Sequence, residues 1–335
     1  MPATSGSGGL LGDIESAGGL GLAIVAVDEE NPPWNPPREP GVVRLATHRL
    51  GAAPTRGLED FDILLSADPC APAPWVGLSS DGLDDAIAQI RSVVDRQPVA
   101  AAVAAQVHRM TLKLTFEEAI SLESLSYSML LRSEGFRAWR GANPARRRAD
   151  EDQPRVRLTR EAGALLIGLT RPGARNAFDA RMRDELVEAL GFALVDPDAV
   201  PVILSGDGPN FSAGGDLGEF GQAADPGQAH AIRVLRSAAR LVNHLGPRIT
   251  ARLHGACVGA GVEVPAAAGR VIARAGTTFR LPELSMGLIP GAGGTATIPR
   301  RIGRQRACYL AISGAELDLP TALAWGLIDG PDEGP

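Results

Sequence analysis

The chain has 335 residues, 44% of them hydrophobic and 21% charged, with a net charge of −6 and a pI near 5.5. That is room for one large domain or two modest ones, and it excludes the overall basic footprint of a nucleic-acid binder. Three cysteines (Cys70, Cys257 and Cys308) without CxxC spacing and five scattered histidines argue against a disulfide framework or a bound metal.

Taken in chain order, residues 1–20 are rich in Gly, Ser and Ala and read as a flexible segment. Residues 22–27 (LAIVAV) read as a buried strand. This run is too short to span a bilayer, and Asp13 and Glu15 precede it instead of a basic stretch. Neither a membrane partner nor a secretory signal is expected, and a cytoplasmic location is. Five prolines in residues 31–40 make that stretch a loop or extended linker. Strands are expected at 42–48 and 61–66. Pro72 and Pro74 close a first segment, residues 1–78, whose role the sequence does not disclose.

From about Leu83 the apolar period becomes helical, with Ile87, Ile90 and Val94 in one stripe that stops at Gln97-Pro98. A second helix is expected over about 100–113. Thr115-Phe116-Glu117-Glu118 has the form of a capping box, and the helix behind it sets Ala119, Leu122, Ser126 and Met129 on one face. The run Arg146-Arg147-Arg148 is balanced by Asp150, Glu151 and Asp152 and reads as a solvated turn. A boundary there leaves a helical region at 79–150 and a final region at 151–335. In the latter, strands at 165–170, 202–205 and 249–253 alternate with helices at 179–194 and 229–245, which predicts an α/β fold with crossovers.

Three stretches of this last region are dense in small residues: FSAGGDL at 211–217, HGACVGAGVEV at 254–264 and LPELSMGLIPGAGGT at 281–295. Small residues let a ligand approach the backbone, and amide groups at helix starts can hold an oxyanion. Residues 291–296 (GAGGTA) also fit a dinucleotide fingerprint, but no strand signal precedes Pro290. Neither a P-loop nor a GxSxG elbow is present.

These three stretches, with RPGARNA at 171–177 and ALAWGLID at 322–329, resemble in order and spacing the signatures of the crotonase (enoyl-CoA hydratase/isomerase) superfamily. The resemblance implies an α/β fold, a crotonase-like ββα spiral core with a helical trimerisation or cover region. It also implies a homotrimer or dimer of trimers acting on an acyl-CoA thioester, with no cofactor because CoA is part of the substrate. By the same resemblance, backbone N–H groups of Gly215 and Ala260 form the oxyanion hole, and Glu263 and Glu283 are the acid/base pair. Contacts to CoA and substrate would fall on Ala174, Arg175, Ala177, Ala213, Gly214, Asp216, Leu217, Gly259, Pro282 and Gly291. Hydration of a 2-enoyl-CoA is the expected reaction. The alternatives are isomerisation, other enolate chemistry, or a non-catalytic acyl-CoA binder.

Departures from the pattern fall mostly around the acyl site. The usual GGG is Gly259-Ala260-Gly261, Pro265 follows Glu263 closely, His254 stands where Asn is common, and Arg280 precedes the Leu-Pro-Glu turn. Family members usually carry helices after the Gly-Leu-Ile-Asp element. Residues 79–148 resemble that tail, so a circular permutation is expected, with Phe136 and Trp139 against the core.

Overall fold

The computed structural model describes residues 19–27, 34–145 and 152–334. Most of the Gly/Ser/Ala-rich start and the Arg146-Arg147-Arg148 run lie outside the described residues. Strands β1 (Gly21–Ala26), β2 (Val42–His48), β3 (Ile63–Ser66) and β4 (Val76–Gly77) form a parallel sheet in that order. Their period-2 alternation decides the two faces. Val43, Leu45, Ile63 and Leu65 enter the main core, while Ala46 and Leu64 join Phe61 and Trp75 in a second cluster. Burial on both faces is what a parallel sheet requires.

Four helices follow: α1 (Ser80–Arg96), α2 (Pro98–Thr111), α3 (Phe116–Leu130) and α4 (Glu134–Ala142). The capping box forms as expected, with Glu118 N donating to Thr115 Oγ1 and Thr115 N donating to Glu118 Oε2 at 2.8 Å. The buried face of α3 is a different one from that expected. Ala119, Ile120, Glu123, Ser124, Tyr127 and Leu130 point inward, whereas Met129 is 55% exposed. The helix lies between other elements, and polar partners on both sides make Glu123 and Ser124 interior residues.

The last region comprises β5 (Val156–Glu161), β6 (Ala164–Leu169), α5 (Ala180–Val195), β7 (Val202–Gly206), α6 (Pro226–Leu235), α7 (Ala238–Leu245), β8 (Ile249–Leu253) and β9 (Ala256–Val258). It continues with α8 (Ala260–Glu263), β10 (Arg270–Ala273), β11 (Thr278–Arg280), α9 (Gly294–Ile302), α10 (Arg304–Ser313), β12 (Glu316–Asp318), α11 (Leu319–Trp325) and β13 (Gly330–Pro331). The single helix expected over 229–245 is two, because Ser237 accepts a hydrogen bond from Arg240 N and starts a new helix.

Six strands pair in the order β13-β10-β8-β7-β6-β5, and three more in the order β12-β11-β9. The chain steps from the large sheet to the small one between β8 and β9, and again between β10 and β11. Parallel bridges from Ser212 to Cys257 and from Phe178 to Gly215 extend the small sheet by the same step. Repeated with a helix after each pair, this is the mixed α/β spiral that the motifs imply. Register sets Ser212 beside Cys257 and Val258 beside Arg280, so the three small-residue stretches leave neighbouring strands together.

Helices α1–α4 pack onto this core in the same chain. Gln89 Nε2 donates to Ser313 O (2.6 Å), Thr111 Oγ1 to Thr295 O (2.6 Å), and Arg140 Nη2 to Leu217 O (2.7 Å) and Phe220 O (2.9 Å). Phe136 is 3% exposed inside the main core, and Trp139 packs against it, as expected from the sequence.

Candidate active site

A cavity of about 760 Å³ opens between α3, α6, α8 and the small-residue stretches, and both Glu263 and Glu283 line it. Glu263 is the last residue of α8, which is short because Pro265 opens a 3-10 turn directly after it. Its Oε2 accepts from Ala292 N at 2.7 Å and Gly294 N at 2.9 Å. The carboxyl is 2% exposed, and burial raises its pKa to about 7 against the pull of those amides.

Glu283 begins a 3-10 turn (Glu283–Met286) and is 7% exposed. Its Oε2 is buried with no hydrogen-bond partner. Burial first, and the neighbouring Glu263 carboxylate second, push its pKa well above the usual carboxylate range. The two carboxyls face one spot beside Gly259. A Cβ there would collide with Glu283 Oε1 and lie 3.8 Å from Glu263 Oε1, and the backbone φ of +49° favours glycine as well.

Gly215 and Ala260 line the same cavity. Their N–H groups have no partner among the described residues, although adjoining amides are used: Asp216 N donates to Phe178 O and Gly259 N to Arg280 O. Two unpaired amides at a cavity wall are suited to an anionic oxygen.

One residue of the site was missed from sequence. Glu123, on α3, is 2% exposed and accepts from Gly293 N (2.7 Å), Thr295 N (2.8 Å) and Thr295 Oγ1 (2.8 Å). Burial, and then the Glu263 charge, raise its pKa to about 8. Glu123 and Glu263 thus take alternate amides of residues 292–295 at the start of α9. The signal was available: Glu123 shares the helix face of Ala119, Ile120 and Tyr127, where a charge is out of place unless it is bonded. The same arrangement removes the dinucleotide reading of 291–296, because carboxylates already occupy the amides a pyrophosphate would need.

Of the ten residues expected to contact CoA and substrate, Asp216 and Gly291 line the cavity. The Asp216 carboxylate is engaged by Arg171 Nη1 (3.1 Å) and Gly218 N (3.0 Å). Ala174 and Ala177 are buried, Arg175 and Leu217 are exposed, and Pro282 caps the Glu283 turn. Ala213 and Gly214 bind the backbone of the 174–178 turn, with Ala213 N donating to Arg175 O and Phe178 N to Gly214 O. Gly259 sits behind the carboxyls, as described above. Among the described residues no group of His, Cys, Asp and Glu is arranged to hold a metal, and no helix is long and apolar enough to cross a membrane.

The model of the enoyl-CoA hydratase/isomerase family matches residues 159–331. The chain belongs to this family. It is 30% identical over 182 residues to 2,3-dehydroadipyl-CoA hydratase of Escherichia coli (strain K12), which covers 51% of this chain and 66% of that one. It is 32% identical over 173 residues to 1,2-epoxyphenylacetyl-CoA isomerase of the same organism, covering 50% and 66%. The chain therefore spans just under two thirds of the length of these relatives. The solved enoyl-CoA hydratase of Thermoplasma volcanium GSS1 superposes with a TM-score of 0.50 at 34% identity, over 54% of this chain and 73% of that one.

Proposed function

We propose that this member of the enoyl-CoA hydratase/isomerase family adds water across a 2-enoyl-CoA. The observation that carries the proposal is the unequal pair of buried carboxyls facing one spot beside two unpaired amides. The thioester oxygen takes the N–H groups of Gly215 and Ala260, which stabilise it as it becomes an enolate oxygen. Two amides favour the anion of Glu263, so Glu263 holds the water and removes its proton as the oxygen attacks the β-carbon. Glu283, with no donor to its buried Oε2, is kept neutral and delivers a proton to the α-carbon. A proton passed from Glu263 to Glu283 through solvent resets the site.

Isomerisation is the second reading, since the family's description names enoyl-CoA isomerases beside hydratases. It moves a proton between the α- and γ-carbons and needs only one carboxyl. The test is turnover of 2-enoyl-CoA and 3-enoyl-CoA in ¹⁸O-labelled water. Hydration puts the label on C3 of a 3-hydroxyacyl-CoA, whereas interconversion of the two enoyl-CoAs without label would replace hydration by isomerisation. Thioester binding with no turnover of either would leave a non-catalytic acyl-CoA binder.

Two further parts of this reading concern the whole chain. Helices α1–α4 take the place of the family's C-terminal helices, which is a permuted order supported by their packing on α9, α10 and residues 217–220. The working unit is a homotrimer or dimer of trimers, to be checked by light scattering on the purified full chain.

A further inference from the structure

Six arginines line the cavity: Arg155, Arg171, Arg181, Arg183, Arg233 and Arg236. Five of them have a carboxylate partner. Asp179 serves Arg155 and Arg171, Glu185 serves Arg181, Asp184 serves Arg183, and Glu188 lies 3.9 Å from Arg236. Arg233 has none at ion-pair distance among the described residues, and the carboxyl that attracts it, Glu123, is already engaged by Gly293 and Thr295.

Arg233 is nevertheless held in place. Its Nη1 donates to Ser128 Oγ (2.8 Å), Ser124 Oγ (3.2 Å) and Ser124 O (3.3 Å), all on α3. The guanidinium also lies over the Tyr127 ring, with Cζ 4.8 Å from the centroid. Nε and Nη2 donate to nothing among the described residues. One nitrogen is thus pinned, the plane is set by an aromatic ring, and one edge of the fork is left for something else. That edge has the two-donor geometry that a carboxylate matches, and a partly desolvated cation gains most from such a partner.

Its position relative to the reacting carboxyls follows from Tyr127. That ring packs on Gly291 so closely that a Cβ there would run into it. Gly291 adjoins Ala292, whose N–H holds Glu263. The Arg233 guanidinium and the Gly291–Ala292 turn that holds Glu263 therefore contact the same Tyr127 ring. The turns at 174–177 and 213–217, where CoA is expected, belong to other elements.

We propose that the acyl chain accepted by this cavity ends in a carboxylate that pairs with Arg233, so that the substrate class is the dicarboxylic mono-CoA thioesters. This rests on the acyl-CoA reading above and narrows it. The test is calorimetric titration of the full chain with unreactive saturated thioesters. Glutaryl-CoA and adipyl-CoA are compared with pentanoyl-CoA and hexanoyl-CoA, with free CoA as reference, in wild type and in Arg233→Met.

Wild type should bind the carboxylated thioesters about tenfold more tightly than the neutral ones, the scale of a hydrogen bond to a charged group. In R233M that preference should disappear, with neutral thioesters and CoA bound within about twofold of wild type. R233K, which keeps the charge and loses the fork, should restore part of the preference. Equal or tighter binding of neutral thioesters by wild type, or a preference that survives in R233M, would overturn the proposal. So would an equal loss for every ligand including CoA, because the cation would then serve the CoA phosphates. Binding of no thioester at all would remove the acyl-CoA reading itself, which is a distinguishable outcome.

Discussion

Replacing Glu123 by alanine removes the partner of three buried donors, Gly293 N–H, Thr295 N–H and Thr295 O–H. Each donor left unsatisfied costs about 1–3 kcal/mol, so the loss is about 3–9 kcal/mol before any compensation. The compensation depends on pH. Glu123 has an ordinary carboxylate pKa of about 4.5 when unfolded and about 8 in the fold. Between those values the folded chain holds a proton that the unfolded chain has released, so wild type loses stability as pH rises, at about 1.4 kcal/mol per unit. Alanine removes that burden. Denaturant titration of both proteins should show E123A about 3 kcal/mol less stable at pH 5, with the gap closing by about 3 kcal/mol at pH 8. Release of the α9 start should also loosen the amides that hold Glu263 and lower turnover by about a hundredfold. A gap that is constant with pH, or that widens toward pH 8, would refute the account of a buried, proton-holding Glu123.

Two other perturbations test separate parts of the structure. Phe136→Ala empties a site that is 3% exposed where α4 meets the core, and it should cost about 3–5 kcal/mol in denaturant melts. A cost under about 1 kcal/mol would show that α4 does not share that core. Gly259→Ala puts a methyl group against Glu283 Oε1 at a backbone φ of +49°. Stability should fall by about 1–2 kcal/mol while hydration falls about a hundredfold or more, so a variant with wild-type turnover would displace Gly259 from its place beside the reacting carboxyls.

The strands and most helix positions were legible because short apolar runs and helical stripes coincide with burial here, as in β3 and α5. The face of α3 was not. Its buried arc carries Glu123, Ser124 and Ser128, and a hydrophobic stripe gives no weight to polar residues whose partners come from 105 or more positions later in the chain. The break at Ser237 was missed for a local reason: one serine cap outweighs an otherwise continuous helical period. At the site, Glu263 and Glu283 could be named from motif alone, as could Gly215 and Ala260. Their inequality could not, because it depends on which carboxyl receives amides from residues 292 and 294. Arg233 was not singled out either. Its significance lies in a guanidinium fork without an ion-pair contact among the described residues, which only the assembled cavity discloses.

The most direct test is hydration of crotonyl-CoA, followed by loss of the enoyl thioester absorbance, in wild type, Glu263→Gln and Glu283→Gln. Thioester binding is measured on the same samples. The account predicts turnover by wild type and a loss of about 10²–10⁴-fold in each variant, the usual contribution of a general acid or base, with binding retained. Wild-type turnover that survives either substitution within about tenfold would contradict the assignment of these two carboxyls as the acid/base pair.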